Sequence, residues 1–402
     1  MGRRLIVDTE PILPRDVYNG GDVYSMDQCL KDCMLYPRPY STFDYYHPAD
    51  FGTNLGSDTI WCRMRHLGLA IQSNTSYTFD QAFHCPHAGP NGGGICRDAL
   101  VNGYTPYELQ RQGAATGRRL GYCVMSTNDT VADCTKAFLN DTSFPLALSL
   151  IPYTTQVLIV NNNPKITMLP SGIFSGLRNP SGVKALIMDD CGIKTIDSNA
   201  FAPLTNLQVL NLNQNKVQTL PTGMLSRNGQ LKQFSMFGAG EAYTQLTGLP
   251  EDLFFYTPLI ERIVMYGHPN ITSFPPNVFR DLFHCEIISF VNCGITNAGI
   301  PDGVFSNLTS LLFFDFFGNQ LTKAEARWFE GGWASNVLRV ALNFNRDLNT
   351  IDSDIFATLT NLEFAYFHAT ALDTIPDGLF NTNNNLVLYT LGYYTGDLVL
   401  EG

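Results

Sequence analysis

Basic residues are scarce. Twenty-five Lys and Arg stand against 36 Asp and Glu, a net charge of −11, and no stretch gathers them into the footprint that a phosphate backbone requires. Nucleic acid is therefore not an expected partner. Long hydrophobic runs are also missing. The longest, such as "FPLALSLIPY", fall far short of the roughly 20 residues of a membrane-crossing helix, so no membrane span is expected. The opening "MGRRLIVDTEPILPRD" has basic residues but no continuous apolar segment and makes no complete secretory signal. Either the chain is not secreted, or its N-terminus has been processed or lost. No Cys-x-x-Cys pair, phosphate-loop lysine, Ser-His-Asp set, activated cysteine or paired carboxylate cluster announces itself. Neither enzymatic activity nor a cofactor is expected.

What is present sorts unevenly along the chain. Of ten cysteines, Cys29, Cys33, Cys62, Cys85, Cys96, Cys123 and Cys134 crowd the first third, leaving Cys191, Cys285 and Cys293 for the rest. Asn-x-Ser/Thr acceptors stand at Asn74, Asn128, Asn140, Asn270 and Asn307. Dense cysteine beside sequons favours an oxidising, extracellular or cell-surface setting with N-linked glycans.

In the N-terminal module the stretch "HCPHAGPNGGGIC" invites a metal reading, since Cys62, His66, His84, Cys85, His87 and Cys96 are residues of the kind that bind zinc. Their spacing fits no zinc pattern. The compartment favours disulfides instead, with Cys85 to Cys96 and Cys33 to Cys62 as plausible pairs that sequence cannot fix. Cys29 is left over. The module is similar to small cysteine-rich modules of secreted proteins, a likeness that implies no activity.

From about residue 155 the chain repeats itself. In "LQVLNLNQNKVQTLPTGMLSRNGQ", Leu207, Leu210, Leu212, Val217 and Leu220 are apolar around Asn215, the L-x-x-L-x-L-x-x-N-x-L pattern. The frame recurs about ten times at intervals of 24 to 29 residues, with second halves such as "LPSGIF", "IDSNAF", "LPEDLF" and "IPDGVF". On these residues the chain resembles the extracellular leucine-rich repeat family over about 250 residues. That resemblance implies an α/β solenoid, a leucine-rich repeat arc with a concave parallel β-sheet, preceded by a small disulfide-rich, loop-rich domain. The expected divisions are a cysteine-rich domain over 1–120, an N-terminal cap over 121–154 and repeats over 155–402, the last one incomplete.

Each position of the frame has a physical task. The leucine-type residues face inward, and a single repeat cannot bury them until neighbours stack. The polar ladder position satisfies backbone groups at the bend after the strand. It is occupied by Asn163, Cys191, Asn215, Cys293, Asn319 and Asn345, and elsewhere by Ala239, His268, Thr370 and Tyr394. Cys191, Cys285 and Cys293 read as buried free thiols and His268 as an inward ladder variant. In the cap, which looks like the family's N-terminal cap, Cys123 with Cys134 is the preferred disulfide, worth about 2 to 3 kcal/mol in the chain-entropy picture.

The residues between the inward leucines point into the cavity of the arc. In the first three repeats they include Asn161, Asn162, Asp189, Asp190, Asn211, Asn213 and Gln214. From the fourth they become aromatic: Phe237, Tyr266, Phe313, Phe317, Phe344, Phe364, Tyr366 and Tyr393. An aromatic band on a face expected to be wet marks a contact with a protein partner or another copy of the chain. Cover from another part of the same chain, or a register one residue off that turns some of these aromatics inward, is the competing account. Asn270 falls just after a strand bend and Asn307 just before the next strand, so glycans there are expected on the sides of the solenoid, leaving the sheet clear. Aromatic platforms also stack on sugars, but nothing in the sequence selects carbohydrate. No cysteine cluster seals the C-terminal end, so the last repeat is read as truncated or covered, and a head-to-tail contact there would build a filament. The reading is a non-enzymatic extracellular interaction or structural protein. A ligand-sensing receptor ectodomain is the alternative, and a secreted metalloenzyme a more remote one.

Overall fold

The structure, a computed structural model, describes residues 118–126, 128–238 and 246–391. Its spine is one 13-stranded sheet. Arg119–Leu120 and Cys123–Met125 form an antiparallel hairpin, and Val131–Asp133 pairs antiparallel with the second of these. Val131–Asp133 then turns the sheet parallel by pairing with Val157–Ile159. Nine more repeat strands follow in chain order, from Ala185–Ile187 to Leu388–Thr390, each parallel to the last.

The ten repeats are what the leucine frame anticipates, with one difference in the return limbs. These are 3-10 turns, irregular segments and two short parallel ladders, Met168–Leu169 with Thr195–Ile196 and Lys323–Ala324 with Thr350–Ile351, and among the described residues the α-helix is confined to Ser143–Leu150 in the cap. Repeats of 24 to 29 residues leave about a dozen for the return, and Pro and Gly punctuate them. A helix has little room to propagate there.

Strand registry makes a column of the core. Ala132, Leu158, Leu186, Leu210, Phe234, Ile263, Ile288, Phe314, Val340 and Ala365 pair in one inward row. All are essentially sealed from water. Behind them runs a second column that the frame had shown only as a recurring letter. The phenylalanines of the return limbs, Phe174, Phe201, Phe254, Phe279, Phe305, Phe329 and Phe356, are buried. Phe174 stacks on Phe201 at 6.0 Å, and Phe279 on Phe305 at 6.0 Å. Truncating one such ring to Ala typically costs about 3 to 5 kcal/mol.

The bend after each strand is built by two cooperating residues. The one before the ladder position takes a positive φ in Asn162, Asp190, Gln214, Gly267, Asn292, Gly318, Phe344 and Ala369. The ladder side chain then ties two turns together. Asn215 Nδ2 donates to the Met188 and Leu212 carbonyls at 2.7 and 3.0 Å, and its Oδ1 accepts from the N–H groups of Cys191 and Ile193. Asn163, Asn319 and Asn345 repeat that pattern.

The cap closes the N-terminal end. A disulfide joins Cys123, at the start of Cys123–Met125, to Cys134, just past Val131–Asp133, and Phe144, Ala147 and Leu148 of the helix bury against the first repeats. Phe144 meets Phe174 edge to face at 6.1 Å.

Candidate functional site

The concave sheet face carries side chains that pack apart from the solenoid core. Because strand residues alternate in direction, the positions flanking the inward row form outward rows. The first runs Val131, Val157, Ala185, Val209, Gln233, Arg262, Ile287, Phe313, Arg339, Phe364. The next includes Ile159, Ile187, Asn211, Ser235, Val264, Ser289, Asp315, Ala341 and Tyr366.

Three apolar clusters lie along these rows and one on the row two residues further along, where Phe237, Tyr266 and Val291 pair. Val131, Val157, Ile159, Ala185 and Val209 form one at the N-terminal end. Phe313 with Ile287 forms a second, Tyr266, Val291 and Phe317 with Phe237 and Phe344 a third, and Ala341, Phe364 and Tyr366 a fourth. The aromatic positions taken as outward do sit on this face, but they are not a wet patch. Tyr266, Phe313, Phe317, Phe364 and Tyr366 are only 1 to 5% exposed, while Phe237 and Phe344 are half-buried. Parallel strands lie about 4.8 Å apart, which is also a stacking distance, so rings on adjacent strands shield one another. Phe237 stacks on Tyr266 at 4.5 Å and Phe317 on Phe344 at 4.7 Å. Tyr393 lies outside the described residues, as do ladder positions Ala239 and Tyr394. The aliphatic cluster of the first repeats lies on the strands themselves, ahead of the polar residues Asn161 and Asp189 at their turn ends.

Charge enters the face at two buried arginines, Arg262 and Arg339, each 3% exposed. Arg339 lies between Phe313 and Phe364 in registry, with its guanidinium carbon 4.7 Å from the centre of the Tyr366 ring. Ser289 donates to Asp315 at 3.2 Å, and Ser235 to Asn213 at 2.8 Å. His368 bridges Asn343 and Thr390 through its two ring nitrogens, at 3.1 and 3.0 Å. The arrangement offers aromatic rings and fixed polar groups, ingredients of recognition.

The buried nucleophiles and the ladder histidine do structural work. Cys191, Cys285 and Cys293 are buried free thiols. Burial pushes each thiol up to about 12, away from the reactive thiolate. Cys191 and Cys293 stand at ladder positions, where the Cys191 thiol donates to the Val160 carbonyl at 3.2 Å and the Cys293 thiol to the Val291 carbonyl at 3.4 Å. His268 replaces asparagine with the same logic. Its Nδ1 accepts from the Leu246 N–H, which leaves Nε2–H to donate to the Met236 carbonyl, each at 3.3 Å. Desolvation holds this imidazole down to about 4. Among the described residues no group of three or more His, Cys, Asp and Glu is placed to hold a metal, and no helix is long and apolar enough to cross a membrane.

Of the sequons, Asn128, Asn140 and Asn270 are exposed. Asn307 is half-buried and its amide nitrogen donates to the Arg280 carbonyl. Asn140 Oδ1 meanwhile accepts from the Thr142 and Ser143 N–H groups at the start of the cap helix. Asn74 lies outside the described residues, together with Cys33, Cys62, Cys85, Cys96 and the histidines considered as zinc ligands.

Known proteins resemble the chain in separate parts. Residues 181–238 match the family model described as leucine rich repeat, and residues 280–392 the BspA type leucine rich repeat region. Residues 24–99 match the BfoA family C-terminal domain. Lumican of Gallus gallus is 26% identical over 213 residues, covering 50% of this chain and 55% of lumican. Toll-like receptor 5 of Homo sapiens is 33% identical over 91 residues, 23% of this chain and 10% of the receptor. The chain thus spans about half the length of lumican and a tenth of that receptor. Among solved structures, the crystal structure of a TLR13–ssRNA13 complex aligns with a TM-score of 0.52 at 19% identity, over 63% of this chain and 34% of that one. This last likeness is one of fold. The disulfide and the relatives set the chain in an extracellular or cell-surface compartment.

Proposed function

We propose that this chain, a leucine-rich repeat protein, is a non-enzymatic interaction protein that holds a protein partner on its concave face. The observation that supports this most is the set of apolar clusters on the sheet face opposite the core. A solenoid is closed by its inward column alone, so stacked rings and a buried guanidinium on the other face are not needed to fold it. Aromatic and arginine side chains are enriched among the residues that dominate interface energetics, and on this face the half-buried Phe237 and Phe344 are the rings still open to a partner. The cysteine-rich residues 1–120 are proposed as a separate module, consistent with their own family match, followed by the cap over 121–154 and the repeats over 155–402. Asn128, Asn140 and Asn270 are proposed as glycan carriers that leave the concave sheet clear. Asn307 is the weakest acceptor, because its amide nitrogen is already engaged.

The test is photo-crosslinking of the full chain with a benzoyl-phenylalanine at position 237, half-buried at the edge of the third cluster. The protein is illuminated in its native extracellular medium, and the products are read by mass spectrometry. Covalent links to one recurrent second polypeptide support the proposal, provided that Phe237→Asp abolishes co-purification of that polypeptide. Links only between copies of this chain would replace the partner by self-assembly. Links only within one chain would overturn the reading.

A further inference from the structure

One bend of the solenoid departs from the others in a way that folding does not ask for. The residue before the ladder position adopts a positive φ, a region costly for any side chain that crowds the following carbonyl and tolerated best by Gly, Asn and Asp. Seven described repeats comply with a small or polar residue. The eighth places Phe344 there, at φ 62°. Its ring is half-buried, lies against Phe317 at 4.7 Å and 28°, and meets the His368 ring edge to face at 5.6 Å.

Beside this ring is a cavity of about 300 Å³, whose lining includes Phe317, Phe344, Asn292, Gly318, Arg346 and Asp347. That size is at the lower end for small-ligand sites, about 300 to 1,000 Å³. Gly318 is part of its construction. A Cβ there would overlap Asn292 Oδ1, so the glycine lets the carboxamide lie flat against the backbone, where Asn292 Nδ2 also reaches the Tyr266 hydroxyl at 3.4 Å. Arg346 and Asp347 are exposed neighbours of opposite charge on the same wall. Together they offer a fork of donors next to a pair of acceptors with no net charge.

We propose that this cavity binds a pyranose ring. A sugar presents a patch of C–H groups on one face, suited to an aromatic wall, and adjacent hydroxyls at its edge that both donate and accept. A charged ligand would leave either Arg346 or Asp347 opposed. A purely apolar one would leave Arg346 and Asp347 to be desolvated without compensation. The sugar's source is either a free polysaccharide or a glycan carried by a glycoprotein, two sources with the same chemistry. The inference does not depend on the partner proposed above.

The experiment uses the full chain with two kinds of probe. Saturation-transfer NMR and calorimetry are run with cello-, chito- and mannotetraose, and with ribonuclease B before and after enzymatic removal of its glycan. The expected result is binding of at least one of these, with saturation of ring C–H protons. Loss of ribonuclease B binding on deglycosylation assigns the source to protein glycans. Binding of a tetraose alone assigns it to polysaccharide. Phe344→Asn installs the residue that Asn162 and Asn292 already hold at this bend, so its Tm is expected not to fall, while affinity drops at least tenfold. Phe344→Ala, following Ala369, serves as the second variant with the same expectation, and Asp347→Asn lowers affinity with the ring in place. Absence of binding to every probe overturns the inference, as does unchanged affinity in a folded Phe344 variant. If sugar binding fails while cross-linking at position 237 still captures a partner, the sugar site falls and the concave-face reading stands.

Discussion

The asparagine ladder makes a quantitative prediction at Asn215. This side chain is 4% exposed and serves two turns of the solenoid at once. Its Oδ1 accepts from the Cys191 N–H at 3.2 Å and the Ile193 N–H at 3.1 Å, and its amide donates to the Met188 and Leu212 carbonyls. In Asn215→Ala the two amides lose their acceptor inside the core. A buried donor left unsatisfied costs about 1 to 3 kcal/mol, so the pair accounts for about 4 kcal/mol. That is a large fraction of the roughly 5 to 15 kcal/mol that stabilises a folded domain. Asn215→Cys reproduces what positions 191 and 293 already hold. A thiol still donates to a carbonyl but accepts weakly, and about half the cost, near 2 kcal/mol, is expected. Repeat proteins open locally as well as globally, so a urea midpoint alone would understate the effect. The assay is hydrogen exchange at the amides of residues 191 and 193, with urea denaturation alongside. A loss below about 1 kcal/mol in Asn215→Ala, with both amides still protected, would refute the claim that the ladder side chain, rather than backbone geometry alone, holds the bend.

Three further outcomes follow from other sites. Cys191, Cys285 and Cys293, their thiols pushed up by burial to about 12, should resist alkylation in the native protein at pH 8 and react together on denaturation. Because their folded values are raised, their stabilising contribution is present below about pH 9 and declines as pH climbs toward 12. His268 is the reverse case. Its folded value near 4 lies below the ordinary 6.5, so the stability tied to neutral His268 is present above pH 6.5 and lost as pH falls through 4. An NMR titration should find its ring resonances unmoved at pH 5.5, and titration near 6.5 would contradict the buried ladder role. Gly294 takes φ 78°, and an added Cβ would collide with the Pro269 carbonyl. Gly294→Ala should therefore cost about 2 kcal/mol or more in denaturation midpoint, and a loss within 0.5 kcal/mol would count against the close approach.

Sequence periodicity determined the solenoid, the inward leucine column and the ladder positions, because each is encoded at a fixed spacing repeated about ten times, while the acidic, oxidising-compartment character was legible from composition, cysteine placement and sequons. A register error in one repeat is corrected by nine others. The pairing of Cys123 with Cys134 was legible for a different reason: the cap resemblance singled out two cysteines close in sequence. What periodicity does not carry is the neighbourhood across strands. Phe237 and Tyr266, 29 residues apart, become a stacked pair only when adjacent repeats bring them within 4.5 Å. That same proximity turns a band read as wet into mostly buried clusters. The phenylalanine column behind the core and the aliphatic cluster of the first repeats were likewise set by stacking. Phe344 shows the division most clearly. In the sequence it is one more aromatic of the band, whereas the tertiary structure decides that it occupies a left-handed bend beside a cavity, since backbone conformation and the walls of a cavity depend on how neighbouring turns stack rather than on any one repeat.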